Sequence, residues 1–301
     1  MHIVCEGNQP RQNQKYTVTF NVLSVDRMRN KTMIAFLFCF SIKTLYSQVI
    51  RHRTVPVNPC GICNPGQDWN DISNKRLLKL SPFNRILHLS FKRKDDINRY
   101  GTACFISKDL LITARHCVDQ EKSLEYLELN LPSLTNNWVR LNKKDYKIYY
   151  YTELFNKREY DIALIKVINK QKLSILYHGH FNIVDSPKII ISNCDVSVSG
   201  FPSNKFAINS AAPDTLVNRK LSAELIEFNS SNNMIGYPTC TCNGDSGAPI
   251  WVKNGNEYFI VGVHCGPASK EEGFVNLNLN VGVFLGSEVS KWIKSVKNSP
   301  I

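Results

Sequence analysis

The sequence lacks a hydrophobic run long enough to cross a bilayer. Its one strongly apolar segment, Met33–Ile42, has ten residues, whereas a membrane-spanning helix needs about 20. Three basic residues precede this segment, and a small residue, Ser47, closes the stretch that follows it, which is the pattern of a cleaved signal peptide. A buried helix is the alternative, but it leaves the basic flank unexplained. We therefore expect cleavage after Ser47 and a soluble, secreted mature protein, in the extracellular or periplasmic space.

The sequence also lacks the Gly-rich and stacking-aromatic motifs of nucleic-acid-binding proteins. Its net charge of +12 would favour anionic partners or surfaces. Of this charge, +4 lies in residues 1–50, which hold six Lys or Arg and two acids, and the rest is spread widely. We interpret most of it as a solvated surface and predict no nucleic-acid partner.

Cysteine, in contrast, is abundant. Ten cysteines are present, and eight follow Ser47: Cys60, Cys63, Cys104, Cys117, Cys194, Cys240, Cys242 and Cys265. An even number together with an export signal indicates disulfides and an oxidising compartment. Eight cysteines allow 105 pairings, so the sequence leaves the connectivity open. The chain has no second Cys-x-x-Cys pair beside Cys60 and Cys63, which favours a structural bridge there over a zinc or redox site.

By composition the chain divides into a leader and a folded region. Residues 1–47 form an N-terminal extension with the signal peptide. Residues 48–80 are rich in proline, glycine, asparagine and aspartate, which favours an irregular leader or propeptide over a domain. From Pro82 onward, short apolar runs alternate with polar turns, and no internal repeat is evident.

This later pattern predicts an all-β fold, because many short strands separated by turns are typical of a sandwich or a barrel. The predicted strands are 86–91, 102–107, 110–113, 146–151 and 161–167 in a first set, and 189–192, 196–200, 221–228, 249–252, 258–264 and 281–284 in a second. The chain ends differently, since Ser287 can cap a helix whose apolar residues share one face. These residues are Val289, Trp292, Ile293 and Val296.

The segment Asn243–Pro249 points to specific chemistry. It reads Asn-Gly-Asp-Ser-Gly-Ala-Pro and places Ser246 between glycines, directly after an acid. A glycine two residues before the serine lets the backbone turn its N–H group toward a bound carbonyl. The N–H groups of Gly244 and Ser246 can then hold the oxyanion of an acyl-transfer intermediate.

Two upstream motifs supply partners for this serine. His116 follows a strand-like run in Leu-Ile-Thr-Ala-Arg-His-Cys, and Asp161 opens the aliphatic run Asp-Ile-Ala-Leu-Ile. Serine is a poor nucleophile at neutral pH without a base, and histidine can accept its proton near that pH. A buried aspartate fixes the imidazole tautomer and stabilises the imidazolium. Each motif alone is commonly structural, but the three together indicate a nucleophilic triad.

With these residues the chain resembles the trypsin/chymotrypsin-like serine proteases. The order His116, Asp161, Ser246 is theirs and differs from the orders in subtilisins and α/β-hydrolases. The resemblance implies that His116 is the general base, Asp161 its orienting partner and Ser246 the nucleophile. It also implies that the oxyanion hole consists of the N–H groups of Gly244 and Ser246.

The resemblance extends from about Pro82 to the C-terminus and implies a fold. We expect two six-stranded antiparallel β-barrels with the triad in the cleft between them, followed by a C-terminal α-helix. The first barrel is expected at 81–185, the second at 186–286 and the helix at 287–301.

The implied activity is that of a secreted serine endopeptidase. Such an enzyme hydrolyses protein or peptide substrates through an acyl-enzyme, and we expect it to be a monomer without a metal or organic cofactor. The alternative is a catalytically silent homologue that binds a protein or a surface through its basic face. The intact set of three residues favours the enzyme, because a silent homologue usually lacks one member.

A second segment, 261–267, bears on substrate choice. In the family this strand lines the pocket for the side chain before the scissile bond. Cys240 stands where trypsin-type enzymes have an aspartate, so a preference for Lys or Arg is not expected. A histidine on this strand, combined with a hydroxyl residue five before the serine, resembles the glutamyl endopeptidase (V8-like) branch and the viral 3C-type proteases. The residues expected to bind the substrate side chain are Thr241, His264, Cys265 and Gly266.

This pocket is expected to prefer Glu, with Gln second. An imidazole N–H and a threonine hydroxyl can each donate to a side-chain carboxylate or carbonyl in a desolvated pocket. The structural alternative is that His264 is a core histidine whose hydrogen bonds are satisfied internally.

Asp245 raises the question of activation. In trypsin relatives a new N-terminal amine, made by proteolysis, pairs with the acid at this position, because a buried carboxylate needs a partner. This chain has no Ile-Val-Gly-Gly start. Cleavage near Arg76-Leu77 and pairing with an internal lysine or arginine are the two alternatives.

One disulfide is expected to cross the histidine loop, between Cys104 and Cys117. The resemblance departs from the family here, because the family's first cysteine lies about three residues earlier, where this chain has Gly101.

Overall fold

A computed structural model describes residues 70–72, 75–93, 98–119, 124–132, 138–152, 157–202, 215–229, 231–269, 272–274 and 278–300. The signal-peptide segment 1–47, residues 48–69 of the leader and the cysteines 60 and 63 lie outside the described residues. Within the described ranges, no helix is long and apolar enough to cross a membrane.

The chain folds into two sheets of short strands. In chain order these are β1 (Asn70–Ile72), β2 (Ile86–Arg93), β3 (Asn98–Ser107), β4 (Leu110–Thr113), β5 (Leu124–Asn130), β6 (Trp138–Asn142), β7 (Tyr146–Tyr150), β8 (Ala163–Val167), β9 (Asn182–Ile183), β10 (Val196–Gly200), β11 (Leu216–Leu221), β12 (Glu227–Asn229), β13 (Met234–Tyr237), β14 (Pro249–Asn254), β15 (Glu257–Pro267) and β16 (Asn280–Phe284). The α-helices are α1 (Lys75–Leu78), α2 (Arg115–Val118), α3 (Lys170–Ser174), α4 (Pro187–Ile191) and α5 (Ser287–Asn298).

Both sheets contain a strand that is bent at a 3-10 turn. The first sheet has the order β6-β5-β2-β3-β4-β8-β7, and the second follows β1-β11-β10-β14-β15-β16-β13-β12, with β9 paired to β15. Lys143–Asp145 joins β6 to β7, and Ala223–Leu225 joins β11 to β12. Each of these pairs is therefore one bent strand. Its first half pairs at one end of the sheet order and its second half at the other end, so the sheet closes on itself.

Counted in this way, each sheet has six principal strands within the described residues. Numbered along the chain within each sheet, their cyclic order is 1-2-3-6-5-4 in both. The principal strands pair antiparallel, and only the short β9 pairs in parallel among the strands described. The prediction of two six-stranded antiparallel barrels is confirmed, with β1 and β9 as additions to the second.

The pairing of β4 with β8 positions the first half of the candidate site. Both strands are buried at every position, as continuous apolar runs predict. Thr113 at the end of β4 lies opposite Ala163 at the start of β8. The chain therefore leaves β4 toward His116 at the same end of the sheet at which it enters β8 from Asp161.

The C-terminal helix α5 is present as predicted, and it buries Val289, Ile293 and Val296. Its N-cap residue is Gly286, one position before the predicted Ser287. At its other end the buried Lys166 of β8 donates from Nζ to the carbonyl oxygen of Val296, at 2.9 Å. The ammonium shares this carbonyl with the Ser299 hydroxyl, which donates to it at 2.8 Å, and opposes the negative end of the helix dipole.

Three predicted segments differ in the structure. The strand predicted at 221–228 is instead the end of β11, the 3-10 turn Ala223–Leu225 and the start of β12. Residues 189–192 were predicted as a strand from three consecutive isoleucines, but these isoleucines lie in α4. Pro187 occupies the first turn of that helix, where its fixed φ favours helical backbone. Within the leader predicted to be irregular, β1 pairs with β11 and so adds an edge strand to the second sheet.

The predicted disulfide between Cys104 and Cys117 is wrong, because both residues are buried free thiols. Side chains alternate between the two faces of a strand, so Cys104 lies on the opposite face of β3 from Gly101. A Cβ atom built on Gly101 would lie 2.9 Å from the sulfur of Cys117. The sulfur of Cys117 therefore lies beside position 101, at which this chain has no side chain.

Candidate active site

His116 and Asp161 form a close pair through two separate hydrogen bonds. The His116 side-chain Nδ1 lies 2.6 Å from Asp161 Oδ2, and the His116 backbone N–H donates to Asp161 Oδ1 at 2.8 Å. Asp161 is buried, whereas the imidazole side chain is 41% exposed. A carboxylate at this distance holds the proton on Nδ1 and leaves Nε2 as the basic nitrogen.

The surroundings of the pair favour its charged form. Burial would raise the pKa of Asp161, but hydrogen bonds and charge from His116 outweigh burial and lower it. Burial likewise disfavours the charged ring of His116, but the Cys117 sulfur and Asp161 outweigh burial and raise the pKa of His116 to about 11. The Cys117 contribution requires a charged sulfur, so a neutral thiol leaves Asp161 alone to raise this pKa.

The turn around Ser246 depends on two glycines in left-handed backbone. Gly244 has φ of 94° and Gly247 has φ of 87°, a region that residues with a Cβ rarely adopt. A Cβ on Gly247 would also lie 2.1 Å from the carbonyl oxygen of Thr102. The two glycines of the Gly-Asp-Ser-Gly sequence are therefore required by the backbone of this turn.

Strands from both sheets hold this turn. On one side the Thr102 N–H of β3 donates to the carbonyl of Ser246 at 2.8 Å, and the Thr102 hydroxyl donates to the carbonyl of Gly244 at 2.9 Å. On the other side the Gly247 N–H donates to the carbonyl of His264 in β15 at 2.9 Å. The Cys117 sulfur lies 3.8 Å from the Ser246 carbonyl, so the serine lies against the residue that follows His116.

Asp245 has an internal partner, Arg219 of β11. The guanidinium meets the carboxylate in a two-pronged contact, with Nη1 at 3.2 Å from Oδ1 and Nη2 at 2.8 Å from Oδ2. Both side chains are completely buried. Of the two alternatives for Asp245, pairing with an internal arginine is the one observed.

Arg219 does not fully offset the cost of burying the Asp245 carboxylate. Burial raises the pKa of Asp245 even against the opposing effect of the Arg219 charge and of the Cys242 backbone N–H. Hydrogen bonds from Arg219 of the neighbouring strand and from the Cys242 N–H of its own turn nevertheless fix the position of this carboxylate. This arrangement fixes the residue that directly precedes Ser246.

His264 is buried and hydrogen-bonded to Tyr237. The tyrosine hydroxyl lies 2.6 Å from His264 Nδ1. Burial, together with the nearby charges of Arg219 and Arg158, lowers the pKa of His264 to about 3, and burial raises the pKa of Tyr237 well above its usual range. The imidazole is therefore neutral at physiological pH and the tyrosine keeps its proton; when the Tyr237 hydroxyl donates to Nδ1, the ring carries its proton on Nε2.

Thr241 is held by Asn280 of β16. The Thr241 hydroxyl donates to Asn280 Oδ1 at 2.7 Å, and Asn280 Nδ2 in turn donates to the Thr239 carbonyl. These bonds fix the threonine side chain relative to the strand that runs beside β15.

Cys265 and Gly266 occupy different environments. The Cys265 sulfur is buried and lies 3.6 Å from the carbonyl oxygen of Asp161, so this side chain packs against the His116–Asp161 pair. Gly266 has φ of 146° at a bulge between β15 and β16. Arg158 donates to the carbonyl of Pro267 and pairs with Glu272 at 3.0 Å, so it links the first sheet to the end of β15.

Sequence reasoning did not identify Arg219, Tyr237, Asn280 or Thr102. Arg219 had a detectable signal, since it alternates with Val217 and Leu221 on one face of β11, where a charge is unexpected. The other residues act through pairings between strands that are distant in sequence. Among the described residues, no group of three or more His, Cys, Asp or Glu side chains could hold a metal ion.

Comparison with known proteins agrees with this geometry. The family model for trypsin matches residues 84–293. The chain is similar in structure to the protease Anisep from Arthrobacter nicotinovorans, with 16% sequence identity, a TM-score of 0.52, and coverage of 72% of this chain and 96% of that one. It is also similar to the thermostable serine protease AL20 from an extremophilic microorganism, with 14% identity, a TM-score of 0.52, and coverage of 72% and 98%. No curated protein matches the chain.

The two barrels with one strand order and the extent of the family match together establish the relationship. The chain belongs to the trypsin family and has the chymotrypsin-like fold of a serine peptidase.

Proposed function

We propose that this protein is a serine endopeptidase in which His116, Asp161 and Ser246 act as the catalytic triad. The observation that carries the proposal is the His116–Asp161 pair, with its 2.6 Å contact at Nδ1. This contact leaves the other ring nitrogen available as a base, and the sulfur of the next residue, Cys117, lies 3.8 Å from the carbonyl oxygen of Ser246.

The proposed reaction follows the family mechanism. The Ser246 hydroxyl attacks the scissile carbonyl while His116 Nε2 takes its proton. The oxyanion that forms accepts hydrogen bonds from the N–H groups of Gly244 and Ser246. The imidazolium then gives its proton to the leaving amine, and water hydrolyses the acyl-enzyme by the same steps.

We further propose cleavage after Glu, with Gln second. The neutral His264, with its Nε2 protonated, is a hydrogen-bond donor for a side-chain carboxylate or carbonyl. Arg219 and Arg158 are paired with Asp245 and Glu272, so the group proposed to bind the substrate side chain is the His264 N–H. While the Thr241 hydroxyl donates to Asn280, its oxygen can only accept a hydrogen bond from the substrate, and the side-chain NH₂ of Gln can donate one. If the hydroxyl turns to donate to the substrate instead, it suits the carboxylate of Glu.

The Arg219–Asp245 pair supports a proposal about activation. Because Arg219 already compensates Asp245, we infer that the turn around Ser246 does not need a new N-terminal amine. The intact mass of the active species tests this inference. Activity that appears only after cleavage near Arg76-Leu77 would contradict it.

Active-site labelling tests the triad. A fluorophosphonate should modify one serine per chain, and the label should map to Ser246 by peptide mass spectrometry. The variant Ser246→Ala should take up no label and lose several orders of magnitude in kcat. Ser290→Ala is a matched control, because Ser290 is a buried serine in α5. A folded wild-type protein that does not react would support the silent homologue instead.

A peptide library varied at the residue before the scissile bond tests the specificity. Glu should give the highest kcat/KM and Gln the next, and Thr241→Val should reduce the advantage of both over Ala. A site built on hydrogen-bond donors discriminates strongly against side chains that leave them unpaired. A dominant preference for Arg, Lys or large aromatic residues would reject the proposed role of His264.

A further inference from the structure

An aromatic cluster on the first sheet takes no part in the proposed chemistry. His88 of β2 is buried, and three rings surround it. The ring centroids of Phe201, Trp138 and Tyr100 lie 5.1, 5.2 and 5.4 Å from that of His88. We call His88, Tyr100, Trp138 and Phe201 the aromatic shelf.

The shelf has a buried base and an exposed top. His88 and Phe201 are almost inaccessible, whereas Tyr100 is 44% and Trp138 is 37% exposed. Large aromatic rings bury much area in protein cores and interfaces. Two of them left in solvent over a packed, rigid base form an apolar surface with little conformational freedom to lose on binding.

The shelf is continuous with the turn around Ser246. Pairing across the first sheet places Trp138 opposite Asn130, Asn130 opposite His88, and His88 opposite Thr102. Paired residues of neighbouring strands share one face of a sheet, so these side chains form a row. The row ends at Thr102, which holds the carbonyls of Gly244 and Ser246, and Phe201 also donates from its backbone to the Thr102 hydroxyl at 3.1 Å.

The row lies on the side of the Ser246 turn where the leaving-group part of the substrate is expected. The Ser246 turn is bonded to β15 on one side and to β3 on the other. If His264 of β15 receives the side chain before the scissile bond, the acyl part of the substrate lies along β15. The leaving group then departs on the side of β3, where the row from Thr102 leads to the shelf.

We propose that the aromatic shelf binds a large apolar side chain in the leaving-group segment of the substrate, within the first few residues after the scissile bond. This inference rests on the proposed endopeptidase function. The shelf offers ring faces and no acidic group. Glu128, an acid on the same face of the sheet as His88, is already paired with Arg140 at 2.7 Å, so among the described residues a cationic side chain finds no unpaired carboxylate on this face.

Two substrate series test the proposal. Both carry the acyl segment preferred by the wild-type protein. The first ends in p-nitroanilide and has no leaving-group residues; the second continues into a quenched peptide with Phe, Leu, Lys, Asp or Gly at each of three positions after the bond. At one of these positions we expect Phe and Leu to exceed Gly by about tenfold in kcat/KM, as one apolar contact allows, with Lys no better than Gly.

Variants of the shelf assign this preference. In Trp138→Ala and in Tyr100→Ala the ratio of kcat/KM for Phe over Gly should fall toward one. Ile189→Ala removes an even more exposed apolar side chain, from α4, and should keep the ratio. Because each ratio compares two substrates of one variant, a change in folding yield does not alter it.

Partitioning of the acyl-enzyme provides a second measurement. Added dipeptide amides compete with water for the acyl-enzyme, and Phe-containing amides should capture it better than Gly-containing ones in the wild type but not in Trp138→Ala. Equal ratios for all leaving groups, or a ratio that survives both shelf variants, would overturn the shelf. If the wild type cleaves neither series, the endopeptidase function itself fails; if it cleaves the nitroanilide without any leaving-group preference, only the shelf fails.

Discussion

The molecule contains two buried aspartates near the candidate site, and they have opposite surroundings. Asp161 faces a histidine whose side chain is partly exposed, and the partnership lowers the pKa of Asp161. Asp245 faces an arginine that is as completely buried as itself, and burial raises the pKa of Asp245 despite this partner.

The difference separates a pair that can move a proton from a pair that cannot. Histidine can both gain and lose a proton, and with a neutral Cys117 thiol the pKa of His116 is raised by Asp161 alone, so the pair with Asp161 suits proton transfer. Arginine keeps its proton at all working pH values, so the pair with Asp245 can only hold geometry. Changes to Asp161 should therefore affect activity, and changes around Asp245 should affect stability first.

The largest expected effect is that of Asp161→Asn on turnover. The amide cannot hold the proton on Nδ1 of His116, so the basic nitrogen is lost. By analogy with the family triad, kcat should fall about 10⁴-fold, while the melting temperature changes little. Steady-state kinetics and a thermal melt on the same sample check both parts. A variant that is inactive because it is unfolded would break the comparison.

Arg219→Met should have the next largest effect, on stability. Removing one partner leaves an uncompensated buried charge, which costs about 3–5 kcal/mol in the free energy of unfolding. Denaturant titration measures this loss. Arg219→Lys is the matched control, because it keeps the charge while losing the two-pronged contact, and it should lose less.

A double variant sharpens the same test. Arg219→Met combined with Asp245→Leu removes both charges, and such replacements are often neutral or stabilising. We expect the double variant to regain most of the stability lost in Arg219→Met without regaining its activity. If both recover together, the ion pair does not position the Ser246 turn.

Gly101→Cys should have a moderate effect, on the His116 side of the comparison. The new sulfur would meet Cys117, and a disulfide closing a loop of this length contributes about 3 kcal/mol. Mass spectrometry would show the bridge, and denaturant titration with and without reductant would show its contribution. Gly101→Ala is the control, since its Cβ would crowd the Cys117 sulfur without a bond and should destabilise the protein.

The disulfide in Gly101→Cys should also affect the pKa of His116. A sulfur in a disulfide carries no charge, so the Cys117 contribution to the pKa of His116 is removed. The ascending limb of kcat/KM against pH should then lie at the same pH as in wild type or lower. A limb that moves to higher pH would contradict the assignment of Cys117 as a group that raises this pKa.

The smallest effect concerns stability as a function of pH. The lowered pKa of Asp161 gives a contribution that is present above pH 3.8 and lost as the pH falls through the folded value. The raised pKa of His116 gives a contribution that is complete below pH 6.5 and lost as the pH rises toward about 11. The stability difference between wild type and His116→Gln should therefore be largest between pH 4 and 6.5.

The contribution of Asp245 to stability changes with pH in the opposite direction to that of Asp161. Because its pKa is raised in the folded protein, protonation favours the folded state, and its contribution improves as the pH falls. The stability difference between wild type and Asp245→Asn should therefore shift in favour of wild type on acidification. If the contributions of Asp161 and Asp245 to stability changed with pH in the same direction, the two aspartates would not have the opposite surroundings described here.

The sequence predicts the features that depend on neighbouring residues. His116, Asp161 and Ser246 each stand in a short motif, and the backbone of the Ser246 turn requires the glycines that the motif contains. The two-barrel fold follows from short apolar runs and from the family resemblance. The terminal helix follows from the spacing of its apolar residues.

Features that depend on pairing between distant strands were not predicted. The partner of Asp245 becomes specific only when β11 lies beside β10, which brings Arg219 under the Ser246 turn. The disulfide prediction failed because spacing in sequence does not fix which face of β3 a cysteine occupies. The isoleucines of α4 were assigned to a strand because composition outweighed the local effect of Pro187.

The contact between Lys166 and the end of α5 has a consequence for how the domain comes apart. The helix follows the second barrel in the chain, but its final turn is fastened to a strand of the first, next to the strand that leads to His116. Unfolding of either barrel would expose the buried ammonium of Lys166 or remove its hydrogen bond to the last turn of α5. Thermal or chemical denaturation should therefore proceed as a single cooperative event, and Lys166→Met should separate it into two.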